Sequence, residues 1–242
     1  MRRVVRRLVK LFIFLLVAGC ALWYGLKVYF TRLDPIALKV RQEVLAQIQA
    51  HGSRFLTYDQ IPEVYRNAVI ATEDRSFFTN IGVDFQGIAR AMWVDIRQQQ
   101  PVQGGSTITQ QLVHNTLLKD VPKSLSWKVK ETLYAIGLYD TLSKQETFAL
   151  YANDIYFGQG AYGLYAAAKT YFGRVPAELN AGELTLLAGL PNAPSDYNPF
   201  RHMELARERQ RIVVQSMVDD GMITQAHAAE ILREPIRLRS NR

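Results

Sequence analysis

The feature that most constrains this chain stands at its start, where Arg2, Arg3, Arg6, Arg7 and Lys10 precede Leu11 to Leu26, sixteen residues without a charge. Lys27 can carry its ammonium group to an interface along its methylene stem. Val28, Tyr29 and Phe30 then extend the stretch to about the 20 residues that a spanning helix needs. The reading is an anchor over 11–30 behind a basic segment over 1–10. With its cations on the N-terminal side, such a helix leaves the N-terminus in the cytoplasm and the chain from about residue 33 outside. Trp23, Tyr24 and Tyr29 suit the outer interface.

Two other readings compete for the same segment. A cleaved secretory signal has a shorter apolar region and ends in a small-x-small site, which is missing here. Val17-Ala18-Gly19-Cys20 looks like a bacterial lipoprotein cleavage box, but the apolar run Ala21 to Phe30 follows it where a mature lipoprotein has a polar tether. All three readings put the globular part outside the cytoplasmic membrane.

The net charge of +7 belongs to this segment, because seven of the 29 basic residues precede Leu33 and no acidic residue occurs before Asp34. The remaining 22 basic residues face 22 acidic ones. The charge therefore speaks for topology, and no nucleic-acid partner is expected. Cys20, the one cysteine, lies in the apolar run, so neither an intramolecular disulfide nor thiolate chemistry is available to the outer part. His51, His114, His202 and His227 show no paired metal-binding spacing, which argues against a zinc enzyme.

Beyond a connector over 31–60, no linker, repeat or charge block divides the chain, and 61–235 reads as one domain with a tail over 236–242. Its patterns are mainly α. Leu205, Ile212, Val213 and Met217 share one face of a helix over about 203–219, and Thr224 caps a shorter one reaching about Leu232. Gly182 to Leu190 reads as a buried helix stopped by Pro191. Ser143-Lys144-Gln145-Glu146 is a capping box that opens a helix to about Asp154. Arg54 to Tyr58 is the best strand candidate. Gly158-Gln159-Gly160-Ala161-Tyr162-Gly163 matches G-x-G-x-x-G, yet a dinucleotide site needs a buried strand before it, and the residues there look helical. A glycine-rich structural turn is the better reading.

Three stretches hold polar groups in apolar surroundings. In Ala71 to Phe78, adjacent Glu73 and Asp74 point about 100° apart on a helix, so one carboxylate can face a cleft while the other makes structural hydrogen bonds. A carboxylate partly desolvated beside Phe77 and Phe78 has a raised pKa, which suits a general base. In Gly104 to Leu112, a glycine pair, hydroxyls and paired amides open a helix, which makes either an anion site or an ordinary Ser or Thr cap. In Lys123 to Glu131, Lys128 and Glu131 share a helix face. Together with Glu73 they supply separated carboxylates near basic groups, the means to activate a hydroxyl and stabilise an anionic leaving group.

These blocks, with Leu150 to Asn153, Tyr156 to Gly158, and Leu187 to Pro199, resemble in order the glycosyltransferase domain of peptidoglycan synthases. That is the lysozyme-like family of monofunctional transglycosylases and of the first module of class A penicillin-binding proteins. The resemblance implies a mainly α, lysozyme-like helical domain behind one N-terminal transmembrane helix. It also implies polymerisation of lipid II into nascent glycan at the membrane, where other cell-wall synthases are candidate partners. Glu73 would be the base that deprotonates the acceptor hydroxyl, and Glu131 would position the donor. Asp74, Phe77, Gly104, Ser106, Gln110, Gln111, His114, Lys123 and Lys128 would line the substrate site. No cofactor is read from the residues themselves; the resemblance admits a divalent cation, magnesium or manganese, beside Glu131. Residues 83–100, amphipathic through Phe85, Ile88, Ala89, Met92 and Trp93, resemble the family's membrane-embedded flap.

The chain departs from the family pattern at Asn80, where a histidine is usual, at His114 and Trp127, where a lysine and an arginine are, and at Lys123, where an arginine is. Thinning of the cationic lining predicts reduced or pH-dependent transfer. It keeps open a binding paralogue that holds lipid II without polymerising it. A lysozyme-like hydrolase is the third alternative. It too uses a glutamate, but it needs neither flap nor anchor. No Ser-x-x-Lys or Lys-Thr-Gly element of a penicillin site is present, and the chain resembles a monofunctional form.

Overall fold

The computed structural model describes residues 2–88 and 105–240. The N-terminal run forms α1 (Arg2–Val28), prolonged by a π-helical turn over Tyr29–Leu33. Arg6–Leu33 is long and apolar enough to cross a membrane, with none of its apolar window buried against the rest of the chain. Its end is docked. Phe30 is 3% exposed and its ring occupies a notch over Gly137, where any Cβ would come within 2.4 Å of it. Tyr134 meets the same ring edge-on at 5.7 Å.

Nine further α-helices lie wholly within the described residues: α2 (Ile36–Ala50), α3 (Glu63–Glu73), α4 (Ile108–Leu117), α5 (Leu125–Thr141), α6 (Lys144–Asp154), α7 (Gly163–Phe172), α8 (Ala181–Gly189), α9 (Met203–Asp219) and α10 (Gln225–Arg233), and residues 85–88 are helical as well. No strand is present among the described residues. The fold is mainly α, as its periodicity indicates. Helices α3, α8 and α9 pack on one another with α10 outside them, and α2, α4, α5 and α6 form a second group; α7 touches both α6 and α8. Ile36, Val40, Val44 and Ile48 recur every four residues along α2 and are all buried, so this part of the expected connector is core. Ile236 and Leu238 of the expected tail also pack on the core, and the Arg239 N–H donates to Tyr171 O at 2.7 Å.

Helix ends follow the local sequence signals. Ser143 and Thr224 accept hydrogen bonds from the backbone N–H groups of Glu146 and His227, satisfying first-turn donors that the helix itself cannot. Asn180 and Glu183 form a reciprocal box at the start of α8. The strand expected over Arg54 to Tyr58 is a correction: the segment is irregular and ends in a 3-10 turn at Tyr58–Gln60. Its backbone pairs with a side chain, since Leu56 N–H donates to Asn153 Oδ1 at 2.9 Å and Leu56 O accepts from Asn153 Nδ2 at 2.8 Å. A buried amide thereby does what a neighbouring strand would do. Gly158 to Gly163 is a tight turn closed by a single antiparallel bridge between Tyr156 and Tyr162, and it follows helix α6. Gly163 has φ +79° and lies so close to Asn153 O that a Cβ would sit 2.6 Å away, which accounts for a glycine there without any ligand.

Candidate active site

Helix α3 carries a buried face of Tyr65, Ala68, Val69, Ile70 and Ala71 and ends at Glu73. Asp74 leaves helical geometry at φ −159°, ψ 78°, and the two carboxylates part there. Glu73 turns to a cleft. Asp74 turns inward and accepts from Asn80 Nδ2 at 2.9 Å, Ser76 Oγ at 3.2 Å and the Ile108 N–H at 3.1 Å. Burial pushes the Asp74 carboxyl above the ordinary range, with these hydrogen bonds and Lys144 opposing the shift. The desolvation expected beside Phe77 and Phe78 therefore falls on Asp74.

The segment before α4 resolves into an ordinary cap. Thr107 Oγ1 accepts from the Gln110 N–H, and Gln110 Oε1 accepts from the Thr107 N–H, both at 3.1 Å. The first helical N–H, that of Ile108, is taken by Asp74, so an internal carboxylate occupies the place an external anion would have had. Gln110 is fully buried and reaches Glu131 Oε2 at 3.2 Å. The neighbouring Gln111 faces the cleft: its Nε2 donates to Glu73 Oε2 at 2.8 Å while its Oε1 accepts from Tyr151 Oη at 3.2 Å.

The cleft has two lobes. The larger, about 570 Å3, is lined by Thr72, Glu73, Gly105, Ser106, Gln111, Pro191, Asn192, Arg209, Ile212 and Ser216. The smaller, about 340 Å3, is lined by Ser106, Gln111, His114, Asn115, Lys123, Trp127, Lys128 and Glu131. Ser106 and Gln111 belong to both, so one carboxylate lies on each side of a shared waist. In the smaller lobe Lys128 Nζ pairs with Glu131 and reaches Ser106 Oγ at 3.2 Å. Glu131 is 3% exposed, and its charge is met by Lys128 and the Gln110 amide.

His114 and Trp127 form one wall, their rings edge to face at 5.2 Å. The Lys123 and Lys128 ammonium groups stand 5.8 and 5.9 Å from the Trp127 ring centre, within reach of cation–π attraction. Burial pushes the His114 pKa down, and Lys123 pushes it further the same way. The imidazole is neutral at physiological pH, and its proton does not replace a lysine's charge.

Of the residues expected at the site, the structure brings Glu73, Ser106, Gln111, His114, Lys123, Lys128 and Glu131 to the cleft. Asp74, Phe77 and Gln110 are corrections as lining residues, because they stand behind the wall with their polar groups already engaged or, for Phe77, with the ring in the core. Asn80 is likewise interior, a buried amide that bonds Asp74, the Gly82 N–H and Lys144 Nζ. Gly104 and residues 89–100 of the amphipathic stretch lie outside the described residues.

The sequence reading missed Arg209 and Asn192, which enter from α9 and from the 3-10 turn after α8. An arginine within the buried face of an otherwise amphipathic helix was the signal available for the first. Among the described residues no group of three or more His, Cys, Asp or Glu side chains could hold a metal ion. Among the described residues Glu131 is the one carboxylate lining the smaller lobe and Lys128 already occupies it, so the described side chains do not fit a resident divalent cation there.

Against known proteins, a family model described as transglycosylase matches residues 41–218. Penicillin-binding protein 1A of Aquifex aeolicus is 44% identical over 185 residues, covering 76% of this chain and 25% of that protein. The proteins of the same name from Vibrio cholerae and Escherichia coli are each 42% identical, covering 75% and 80% of this chain and 22% and 23% of theirs. The chain thus spans about a quarter of the length of these curated relatives.

Proposed function

The chain belongs to the transglycosylase family, and from that premise we propose that it polymerises lipid II into β-1,4-linked glycan, as an inverting glycosyltransferase at the outer face of the cytoplasmic membrane. The observation that carries the reading is the two-lobed cleft, with a carboxylate at Glu73 on one side of the Ser106–Gln111 waist and a cationic lobe at Lys123 and Lys128 on the other. That division suits a transfer between two substrates.

Glu73 Oε2 is held by Gln111, while Oε1 accepts no hydrogen bond from the described residues and is free to take a proton. In the proposed step, Oε1 removes the proton of the acceptor's 4-hydroxyl as that oxygen bonds to the donor's anomeric carbon. The bond from that carbon to the lipid pyrophosphate breaks on the opposite face, which inverts the centre. The departing oxygens carry the negative charge, and Lys128, Lys123 and the Ser106 hydroxyl are the groups available to receive it. Buried Glu131 fixes the Lys128 ammonium toward Ser106. On this reading α1 is the anchor, its basic end in the cytoplasm, and the helices after it form the transferase unit.

The test is incubation of the detergent-solubilised chain with labelled lipid II, beside a Glu73→Gln variant, with glycan polymer read on a gel. Polymer from the parent and a loss of about 10^2–10^4-fold in the variant is the expected result. Lipid II retained without polymer by either would favour the binding paralogue, which the neutral His114 makes the second reading. Glycan release from purified sacculi would favour a hydrolase instead.

A further inference from the structure

Arg209 has no role in the transfer step as derived, yet the fold makes room for it. Its side chain is 11% exposed and crosses the floor of the larger lobe from α9 toward Glu73, whose Oε1 lies 3.7 Å from Nη2. That distance is an ion pair without a hydrogen bond. The Arg209 Nε is buried with no hydrogen-bond partner among the described residues, a cost in free energy that packing alone would not select. Helix α8 yields to its stem at Gly189, where a Cβ would approach Arg209 Cγ to 2.9 Å.

We propose that Arg209 is a positioning residue for Glu73. It and Gln111 hold the two carboxylate oxygens from opposite sides, the amide by a hydrogen bond and the guanidinium by charge, with Gly189 as the gap that admits the arginine. The arrangement aims Oε1 into the lobe while leaving its lone pairs free for a substrate hydroxyl. An arginine suits this task better than a lysine would by geometry, since its charge is spread over a planar fork that can stand near an oxygen without capturing it. The other titratable groups facing Glu73 are the hydroxyls of Tyr65 and Tyr151, which burial pushes up and keeps neutral. Arg209 is therefore the one cation beside Glu73 among the described residues. The inference rests on the proposed role of Glu73 for its meaning, but its physical content does not depend on turnover.

The experiment reads the pH midpoint at which a carbodiimide labels Glu73, followed by peptide mass spectrometry, in the full chain and in Arg209→Met, Arg209→Lys and Gly189→Ala. Loss of the opposite charge should raise the midpoint by about one pH unit in Arg209→Met. Arg209→Lys, which keeps the charge, should stay near the parent, and Gly189→Ala, which displaces the stem, should move toward Arg209→Met. On lipid II, Arg209→Met should lower kcat on the order of 10–100-fold with KM within about twofold, and move the acid limb of the pH–rate profile up with the labelling midpoint. A common midpoint in all four proteins would overturn the proposal, as would a rise in KM with kcat unchanged. Should Arg209→Met fail to fold, the midpoint in Gly189→Ala decides in the same way. A parent without polymerase activity whose midpoints still shift would overturn the transfer reading alone.

Discussion

Gln111 donates to Glu73 Oε2 at 2.8 Å while its other amide atom accepts from the hydroxyl of Tyr151, 40 residues further along the chain. An ionised carboxylate only accepts, so the amide turns its N–H end to Glu73, and the Tyr151 hydroxyl, donating to Oε1, satisfies the other end and holds the side chain in place.

Removing the contact should therefore cost more than removing its support. Gln111→Leu is expected to lower the polymerisation rate about tenfold or more by freeing the Glu73 carboxylate, and Tyr151→Phe about threefold by leaving the amide less firmly held. Steady-state rates on labelled lipid II check the order. Equal effects, or a larger one from Tyr151→Phe, would refute it.

The neutral His114 gives the smaller lobe less positive charge than its outline allows. His114→Lys is expected to tighten binding of a pyrophosphate-bearing donor analogue about three- to tenfold and to steepen its salt dependence. Because burial and Lys123 lower the His114 pKa, the parent should bind alike at pH 7 and pH 8 and gain affinity only as pH falls below the usual histidine range. Calorimetric titration across pH and salt reads both effects; a parent affinity that falls steeply between pH 7 and 8 would contradict the assignment.

Asp154 closes α6 with its carboxylate 2% exposed, and burial pushes its pKa up to about 7, Asn115 and Lys119 opposing the shift and Glu43 adding to it. A carboxyl whose pKa is raised on folding contributes its stability below the unfolded value and loses it as pH rises through the folded one, here between about pH 4 and 7. Asp154→Asn, which carries no charge to desolvate, should leave stability near pH 4 little changed and raise it by about 2–4 kcal/mol at pH 8. Urea denaturation at the two pH values measures this. An equal effect at both would remove the ionisation from the account.

Asn80 is the hub beneath the first acidic pair. Asn80→Ala should destabilise the fold by about 2–4 kcal/mol, because Asp74 and Lys144 each lose a buried partner. Chemical denaturation of the variant checks the loss. An Asn80→Ala chain as stable as the parent would mean that water replaces the amide.

The boundary between what the sequence reveals and what it conceals runs along contact distance. The apolar run Leu11–Leu26, the helices opened by Ser143 and Thr224, and the divergence of Glu73 from Asp74 are legible because each depends on residues within about one or two helical turns. Glu73, Lys128 and Glu131 were recoverable as a set through ordered motifs. The strand expected at Arg54 to Tyr58 failed because its backbone found an amide 97 residues away, and the free helix N-terminus expected before Gln110 was filled by Asp74, 34 residues upstream. Gln110 and Gln111 are neighbours of identical type, and nothing in their letters tells which is wall and which is lining. Tertiary packing turned the first onto Glu131 and the second onto Glu73. It also delivered Arg209 to the cleft from a helix that no motif marked. The sequence by itself determined the apolar N-terminal helix and the helices opened by Ser143 and Thr224 with their caps, since these follow from periodicity and short-range hydrogen bonding. Tertiary structure alone decided which polar groups face one another, because that choice is made where helices far apart in the chain exclude water between them.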